Sequence, residues 1–232
     1  MTVEDVWAQL EAELLWRQEE LRLLSNTIVK LPKENDRDLA RRSQLVMLYA
    51  HTEGFCKVAL SIYVKAINDV GLRCRDAQRA LVASAFGDVF HAIAYGDRKG
   101  KVFKEPLPDD EGLYVFCRQR DFISSIEDLL LRPLTIPDEV VNTEYNLSSK
   151  VLRRNLFRLG FAADLVTGYE SNLNELARRR HGIAHGIEVS PIPSDVYERL
   201  QKAAFNVMDE LALLIVDTVE RSGFVRNSVS AA

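Results

Sequence analysis

One long stretch in the N-terminal half constrains the fold most, because it is apolar around nearly the whole circumference of a helix. It reads LVMLYAHTEGFCKVALSIYVKAI and belongs to a helical pattern from about Arg37 to Asp69, with Gly71 as a plausible stop. A helix that is apolar all round is buried on most of its sides. Other helices must therefore surround it, and the sequence predicts an all-α bundle.

Further helices are predicted on either side of this segment. The third runs from about Arg75 to Tyr95, and the last from about Asp195 to Arg221 with Ser194 as its N-cap. Two shorter helices are predicted in the segments SSKVLRRNLFRLG, capped by Gly160, and TGYESNLNELARRRHGIAH. The pattern contains no internal repeat and no strand alternation, which favours one helical bundle.

The remaining segments are predicted as connectors. The glycine turn GDRKGK and the polar stretch from Gly100 to Gly112 are expected to be loops, and LYVFCRQRDFISSIEDLLLR is expected to begin extended before it turns helical. The proline-containing PLTIPDEVVNTEYNLSS is predicted to be an irregular connector, and the tail NSVSAA to be disordered.

An amphipathic helix is predicted before Pro32, with Arg17 in the one slot of its pattern that is not apolar. It either lies on the bundle or forms a coiled-coil or dimerisation arm. We expect residues 1–36 to form an N-terminal arm, 37–222 a helical domain and 223–232 a disordered tail. The apolar slots, at alternating four- and three-residue steps, hold Val3, Trp7, Leu10, Leu14, Leu21, Leu24 and Ile28.

The overall charge excludes a general polyanion-binding protein, since the 232 residues carry a net charge of −4. Any nucleic-acid contact must come from a local patch. Cys56, Cys74 and Cys117 form no CxxC pair, which favours a reducing compartment. The acidic N-terminus is unlike a signal peptide, and no apolar run reaches the roughly 18 residues of a membrane span. We expect a cytoplasmic protein without a membrane partner.

The segment RRRHGIAHG, from Arg178 to Gly186, is the chemical anomaly of the sequence. Residues 150–186 hold seven cations and only three anions, in a chain that is acidic overall. Gly182 costs a helix about 0.8–1 kcal/mol relative to alanine, so we expect another helix, a second subunit or a phosphate backbone to approach it closely. Gly186 is expected to be a C-cap.

His181 and His185 are four residues apart and share a helix face. Three interpretations are open for this pair. It could ligate a metal, for which a third ligand is needed and none lies nearby in sequence. It could perform acid–base chemistry near neutral pH. His185 could also be an ordinary buried core histidine.

The segment RHGIAHG resembles the R-x4–6-H motif of the HEPN superfamily, whose usual form is Arg-Asn-x-Ile-Ala-His-Gly; His181 stands where asparagine is commonest. LVMLYAHTEGFCK resembles the early helix of one bacterial HEPN subgroup, in which an aromatic-Ala-His-x-Glu-Gly-aromatic stretch recurs. NLSSKVLRRNLFRLG is similar to the segment before the motif helix. The resemblance covers roughly residues 40 to 215.

This resemblance implies a HEPN-like helical bundle that forms a homodimer through the motif region. Many members are metal-independent endoribonucleases of toxin–antitoxin or anti-phage systems, so the implied partners are RNA and an antitoxin or other defence protein, without a cofactor. Arg180 and His185 would be the catalytic pair, with His181 as a polar helper. Other members are inactive and only bind RNA or regulate a partner encoded alongside them, which is the alternative function.

Other residues are assigned by their chemistry. An acid in the apolar stretch is costly unless paired, so Glu53 either orients Arg180 or His185, or forms a structural salt bridge. His51 is expected to pack or to support the site. Because arginine suits bidentate phosphate contact, Arg178, Arg179 and Arg154 are the candidate RNA-binding residues.

Overall fold

The computed structural model describes residues 1–95, 111–144 and 146–226, and within these ranges the secondary structure is helical, with two isolated β-bridges. The predicted all-α class is confirmed. Short 3-10 turns occur at Cys74–Asp76, Asp138–Val140 and Ala163–Val166. The α-helices are α1 (Val3–Val29), α2 (Glu34–Val70), α3 (Arg79–Ala85), α4 (Gly87–Tyr95), α5 (Glu111–Leu131), α6 (Ser149–Arg158), α7 (Glu170–Ala184) and α8 (Ser194–Glu220).

Helix α2 is the centre of the bundle, as its apolar circumference predicts. It packs against α1, α7 and α8. At about 1.5 Å per residue it is roughly 55 Å long, and the backbone ends it at Gly71 in the left-handed conformation with φ 68°. Its fully buried large side chains are Leu45, Leu48, Phe55, Leu60, Tyr63 and Ile67.

The single helix predicted from Arg75 to Tyr95 is wrong, because tertiary contacts divide this segment. The backbone of Ala77 forms an isolated antiparallel bridge with Val225, and the N–H of Gln78 donates to the carbonyl of Phe224 at 2.9 Å. These contacts hold the chain extended until α3 begins. A second break follows before Gly87, the first residue of α4.

Two further expectations differ from the structure. The segment expected to begin extended is helical from the start of α5, which lies against α4 and is tied to it by the Arg118 guanidinium donating to the carbonyl of Ile93 at 3.1 Å. The aromatic and β-branched residues of this segment disfavour a helix only weakly, so the packing against α4 outweighs them. Ser194 is the first residue of α8 rather than its N-cap, which is Pro193; its hydroxyl donates to Glu198.

The other connectors agree with the prediction where they are described. Residues 133–144 and 146–148 contain one short 3-10 turn, between Pro137 and Val141, and one isolated bridge, from Pro133 to Arg73. The predicted GDRKGK turn, most of the predicted loop that follows it and residues 227–232 of the predicted tail lie outside the described residues. Residues 223–226 of the predicted disordered tail are ordered, because Phe224 is buried and Val225 forms the bridge to Ala77. None of the described helices combines the length and the low polarity that a membrane span needs.

Helix α1 lies on the bundle, against α2 and α8, as the first of the two alternatives for this helix predicts. Its Arg17 is buried, with 9% of the side chain exposed. The Arg17 guanidinium lies 2.7 Å from the carboxylate of Glu13 and 4.3 Å from the ring centroid of Trp16. Gly54 of α2 leaves the space, because a β-carbon there would lie 2.9 Å from Arg17 Nη1. The polar slot in the apolar pattern thus holds a buried cation, which is paired with a partly exposed carboxylate.

We predict that the two halves of this ion pair respond differently to mutation. Glu13→Ala leaves a buried guanidinium without its carboxylate and should lower the free energy of unfolding by about 1–3 kcal/mol. Arg17→Leu replaces the cation with an apolar side chain, and Glu13 keeps 30% exposure to water, so the change should stay within about 1 kcal/mol. Urea unfolding measures both. A larger loss for Arg17→Leu than for Glu13→Ala would contradict this account.

His51 predicts a pH dependence of stability. It is buried at the α1–α2 contact, with Nε2 3.1 Å from Glu20 Oε2 and its ring edge-on to Trp16. Burial lowers the pKa of His51 below 6.5, and this outweighs the opposing effect of Glu20; the Arg17 charge lowers the pKa further. The unfolded chain therefore binds this proton more readily.

The stability that neutral His51 contributes should be complete above about pH 6.5 and should decline as the pH falls below that value. Thermal unfolding between about pH 5 and pH 7 should show a falling midpoint on acidification. His51→Gln removes the titration and should flatten this part of the profile. An equally steep profile in the variant would assign the effect to other groups.

Candidate active site

The motif helix α7 turns Arg180 towards α2. The Arg180 guanidinium lies over the ring of Tyr49, with Cζ 4.1 Å from the ring centroid, and Nη2 is 3.6 Å from Glu53 Oε2. Tyr49 and Glu53 are one helical turn apart and hence on one face of α2. The Arg180 side chain keeps 22% exposure. The Arg180 guanidinium is therefore in contact with Tyr49 and Glu53 on its inner side, while part of it remains at the protein surface.

Tyr49 and Glu53 place polar atoms inside the protein to hold this cation. The Tyr49 hydroxyl and Glu53 Oε1 are buried without a hydrogen bond of good geometry in the described residues. Burial, with a smaller effect of the Glu53 charge, raises the pKa of Tyr49 to about 12, so the phenol stays protonated. Buried polar atoms of this kind are costly. The adjacent guanidinium charge is the compensation that the structure provides.

His185 ends the motif helix and faces solvent. It is the C-cap of α7, where its N–H donates to the carbonyl of His181 at 3.1 Å. The rings of the two histidines lie side by side, 4.3 Å apart at their centroids, and both residues are exposed. The interpretation of His185 as a buried core histidine is therefore wrong.

The chain reverses directly after His185 in a Schellman turn. Gly186 has φ 69°, its N–H donates to the carbonyl of Ile183, and the N–H of Ile187 donates to the carbonyl of Gly182 at 2.8 Å. Gly186 is expected to be the C-cap, but the cap is His185, and Gly186 is the left-handed residue that follows it and ends the helix. A left-handed residue at this position favours glycine because a β-carbon there is strained.

The close approach expected at Gly182 has a source within the chain. A β-carbon at Gly182 would lie 3.0 Å from the β-carbon of Glu188, and Gly182 is buried. The expectation that a second subunit or a phosphate backbone approaches this glycine is therefore wrong, since the chain that returns after Gly186 occupies the space. Arg42 of α2 fixes that segment by donating to the carbonyl of Glu188 at 2.6 Å.

The three consecutive arginines have different surroundings. Arg178 is exposed. The guanidinium of Arg179 forms ion pairs with Glu175, at 2.8 Å, and with Glu188, so that RNA would have to compete with two carboxylates for it. Its predicted RNA contact stays a prediction, as do those of Arg178 and of Arg154, which pairs with Glu144 at 2.7 Å.

The four histidines do not converge on a metal site in the described part of the chain. His51 faces α1, His91 lies on α4, and His181 pairs with His185 at the end of α7. Among residues 1–95, 111–144 and 146–226, no three His, Cys, Asp or Glu side chains are grouped so that they could hold a metal ion.

The model of the RiboL-PSP-HEPN family matches residues 12–217. The chain belongs to the RiboL-PSP-HEPN family. The match begins within α1, ends within α8 and includes Glu53, Arg180 and His185. HEPN proteins are generally ribonucleases, so membership gives this protein a nuclease-like or RNA-related role. Neither the curated proteins nor the solved structures that were searched contain a match.

Sequence reasoning missed Tyr49 as a partner of Arg180. The signal was its position four residues before Glu53, which places both on one helix face. It also missed Arg42, whose hydrogen bond to Glu188 joins residues 146 positions apart. No local pattern in the sequence indicates that contact.

We predict a measurable coupling between Glu53 and Arg180. A double-mutant cycle with Glu53→Gln and Arg180→Met should give an interaction of about 0.5–1 kcal/mol in urea unfolding, because both side chains are mostly shielded from water. Arg178→Met is the matched control, since Arg178 is exposed on the same helix and should show no coupling with Glu53. Equal coupling for both arginines would indicate a general charge effect instead of a specific contact.

Proposed function

We propose that this HEPN protein is a metal-independent endoribonuclease that acts as a homodimer. The observation that carries the proposal is a held cation and an exposed histidine at one end of one helix: Arg180 lies between Tyr49, Glu53 and the surface, and His185 faces solvent at the end of α7. This arrangement supplies positive charge and proton transfer, the two requirements of RNA cleavage by its own 2′-hydroxyl.

In the proposed reaction, an imidazole removes the 2′-hydroxyl proton and the 2′-oxygen forms a bond to phosphorus. The bond from phosphorus to the 5′-oxygen then breaks, and that oxygen receives a proton. The products are a 2′,3′-cyclic phosphate and a free 5′-hydroxyl. Arg180 stabilises the charge on the phosphorane, and His185 carries the proton-transfer role because imidazole exchanges protons near neutral pH.

A second copy of the chain would complete this site. Arg180 and His185 are five residues apart and thus about 140° apart around the helix; in the structure, Arg180 lies against Tyr49 while His185 lies against His181. A two-fold dimer offers one histidine as base and the other as acid. Ile187 and Val189, which directly follow the motif, are 73% and 66% exposed, which supports an interface there.

The biological role that we propose, a toxin or anti-phage effector restrained by an antitoxin or other partner protein, rests on the HEPN resemblance. A catalytically inactive module that binds RNA or regulates a partner is the second candidate. The outer side of α1 favours it, because Leu15, Trp16 and Leu23 are between 46% and 60% exposed there and could receive a partner protein.

The decisive measurement is RNA cleavage in excess EDTA. The wild-type protein should cut RNA and leave 2′,3′-cyclic phosphate ends, visible by mass spectrometry. His185→Ala and Arg180→Ala should each lower the rate by roughly a hundredfold or more.

His91→Ala is the matched control, since His91 is an exposed histidine on α4, and it should cut like the wild type. Equal cutting by wild type and His185→Ala would refute the assignment of His185. The inactive module would be supported by two results together. The wild-type protein would not cut RNA, and Arg180→Ala and His185→Ala would bind a partner protein as the wild type does.

A further inference from the structure

Helix α6 exposes a row of cations with one aromatic ring among them. Its buried side holds Val151, Leu152, Asn155 and Leu156. Phe157 is 72% exposed, although a phenylalanine of this size would normally be covered. The outward side of the helix contains no acid. We call this outward side the α6 face; it consists of Lys150, Arg153, Arg154, Phe157 and Arg158.

The α6 face keeps a positive charge after its ion pairs are counted. Arg153 pairs with Glu170 at 2.8 Å and Arg154 with Glu144 at 2.7 Å. Lys150 and Arg158 form no ion pair with any residue in the described ranges. Two cations therefore remain uncompensated on either side of Phe157, in a protein whose overall charge is negative.

A cleft of about 500 Å³ opens beside Phe157 and Arg158. Its other walls come from α3, α4 and the turn at Pro137–Val140, and two carboxylates line it, those of Asp88 and Glu139. Small-molecule sites commonly have volumes of about 300–1,000 Å³, so a single nucleotide fits. One cleft therefore presents an aromatic ring, a cation and two hydrogen-bond acceptors.

We propose that the α6 face and this cleft bind single-stranded RNA. A base stacks on Phe157 and enters the cleft, while Lys150 and Arg158 contact the flanking phosphates. An exposed aromatic side chain within a cationic surface is the combination with which proteins bind single strands. This proposal rests on the proposed function, because it makes RNA the substrate of the same protein.

The two carboxylates determine which part of the RNA enters the cleft. Phosphates are repelled by Asp88 and Glu139, whereas the amino groups of adenine and cytosine can donate hydrogen bonds to them. Uracil has no amino group and offers only its ring N–H as a donor, so it should bind more weakly. A duplex keeps its bases stacked and paired, so this mode of binding requires an unpaired strand.

The α6 face lies far from His185, so it holds the substrate and leaves the chemical step to α7. The N–H of Ser149 donates to Asn174 of α7, and Arg153 pairs with Glu170 at the start of α7, so the two helices run antiparallel. At about 1.5 Å per residue, Phe157 and His185 are roughly 30 Å apart along the helix pair. A strand of about ten nucleotides spans that distance.

The test is fluorescence anisotropy with labelled adenine and uracil oligoribonucleotides of about ten nucleotides, on a His185→Ala background that prevents cleavage. Phe157→Ala should weaken binding of the adenine strand by about tenfold or more, and Phe157→Trp should retain it. The uracil strand should bind more weakly than the adenine strand. Arg158→Gln should lower the dependence of affinity on salt.

Phe116→Ala is the matched control, since Phe116 is 59% exposed on α5 and does not line the cleft. It should bind the adenine strand normally. Because Phe157 is exposed, Phe157→Ala should also keep the wild-type melting temperature. If Phe157→Ala is folded and binds the adenine strand as tightly as its parent, the proposal is overturned. If a partner protein then binds the wild type but not Phe157→Ala, the α6 face is assigned to that partner protein.

Cleavage kinetics separate this proposal from the proposed function. In the active protein, Phe157→Ala should raise KM and leave kcat within about twofold. Cleavage without any effect of Phe157 would sustain the ribonuclease and remove the α6 site. Binding that depends on Phe157, without cleavage by the wild type, would sustain the α6 site and remove the ribonuclease.

Discussion

The burial of α2 organises the helices that pack around it. This helix is enclosed by α1, α7 and α8, so a polar group that it buries needs a partner inside the protein. Two groups of such contacts lie within about one and a half turns of α2. Tyr49 and Glu53 face α7 and hold Arg180, whereas His51 and Gly54 face α1 and receive Glu20 and Arg17. The same short stretch thus joins the candidate site to the N-terminal helix.

The three consecutive arginines near the end of α7 have different roles. Arg180 lies against α2, Arg179 secures the returning chain through Glu188, and Arg178 stays exposed. The Schellman turn at Gly186 brings Glu188 back over Gly182, which buries that glycine and leaves His185 at the surface. A turn that places the histidine at an open helix end suits proton transfer to an outside substrate.

Local charge, more than total charge, relates this acidic protein to RNA. The cations of residues 150–186 divide between the motif end of α7 and the α6 face, on opposite ends of one antiparallel helix pair. Several of them are neutralised by neighbouring carboxylates, which confines the uncompensated charge to a few positions. In the binding mode that we propose, the RNA lies along this helix pair.

Hydrophobic periodicity and short motifs are local properties of the chain, so they are enough to predict the all-α class, the buried central helix, the glycine that ends α7 at Gly186 and the HEPN family. The folded chain was needed to show that Arg75–Tyr95 is broken, that α5 is helical from its start, and that Glu188 rather than another molecule approaches Gly182. It also paired Arg180 with Tyr49 and Glu53. These contacts join residues far apart in the chain, and which partners meet depends on how the helices pack, which no local pattern records.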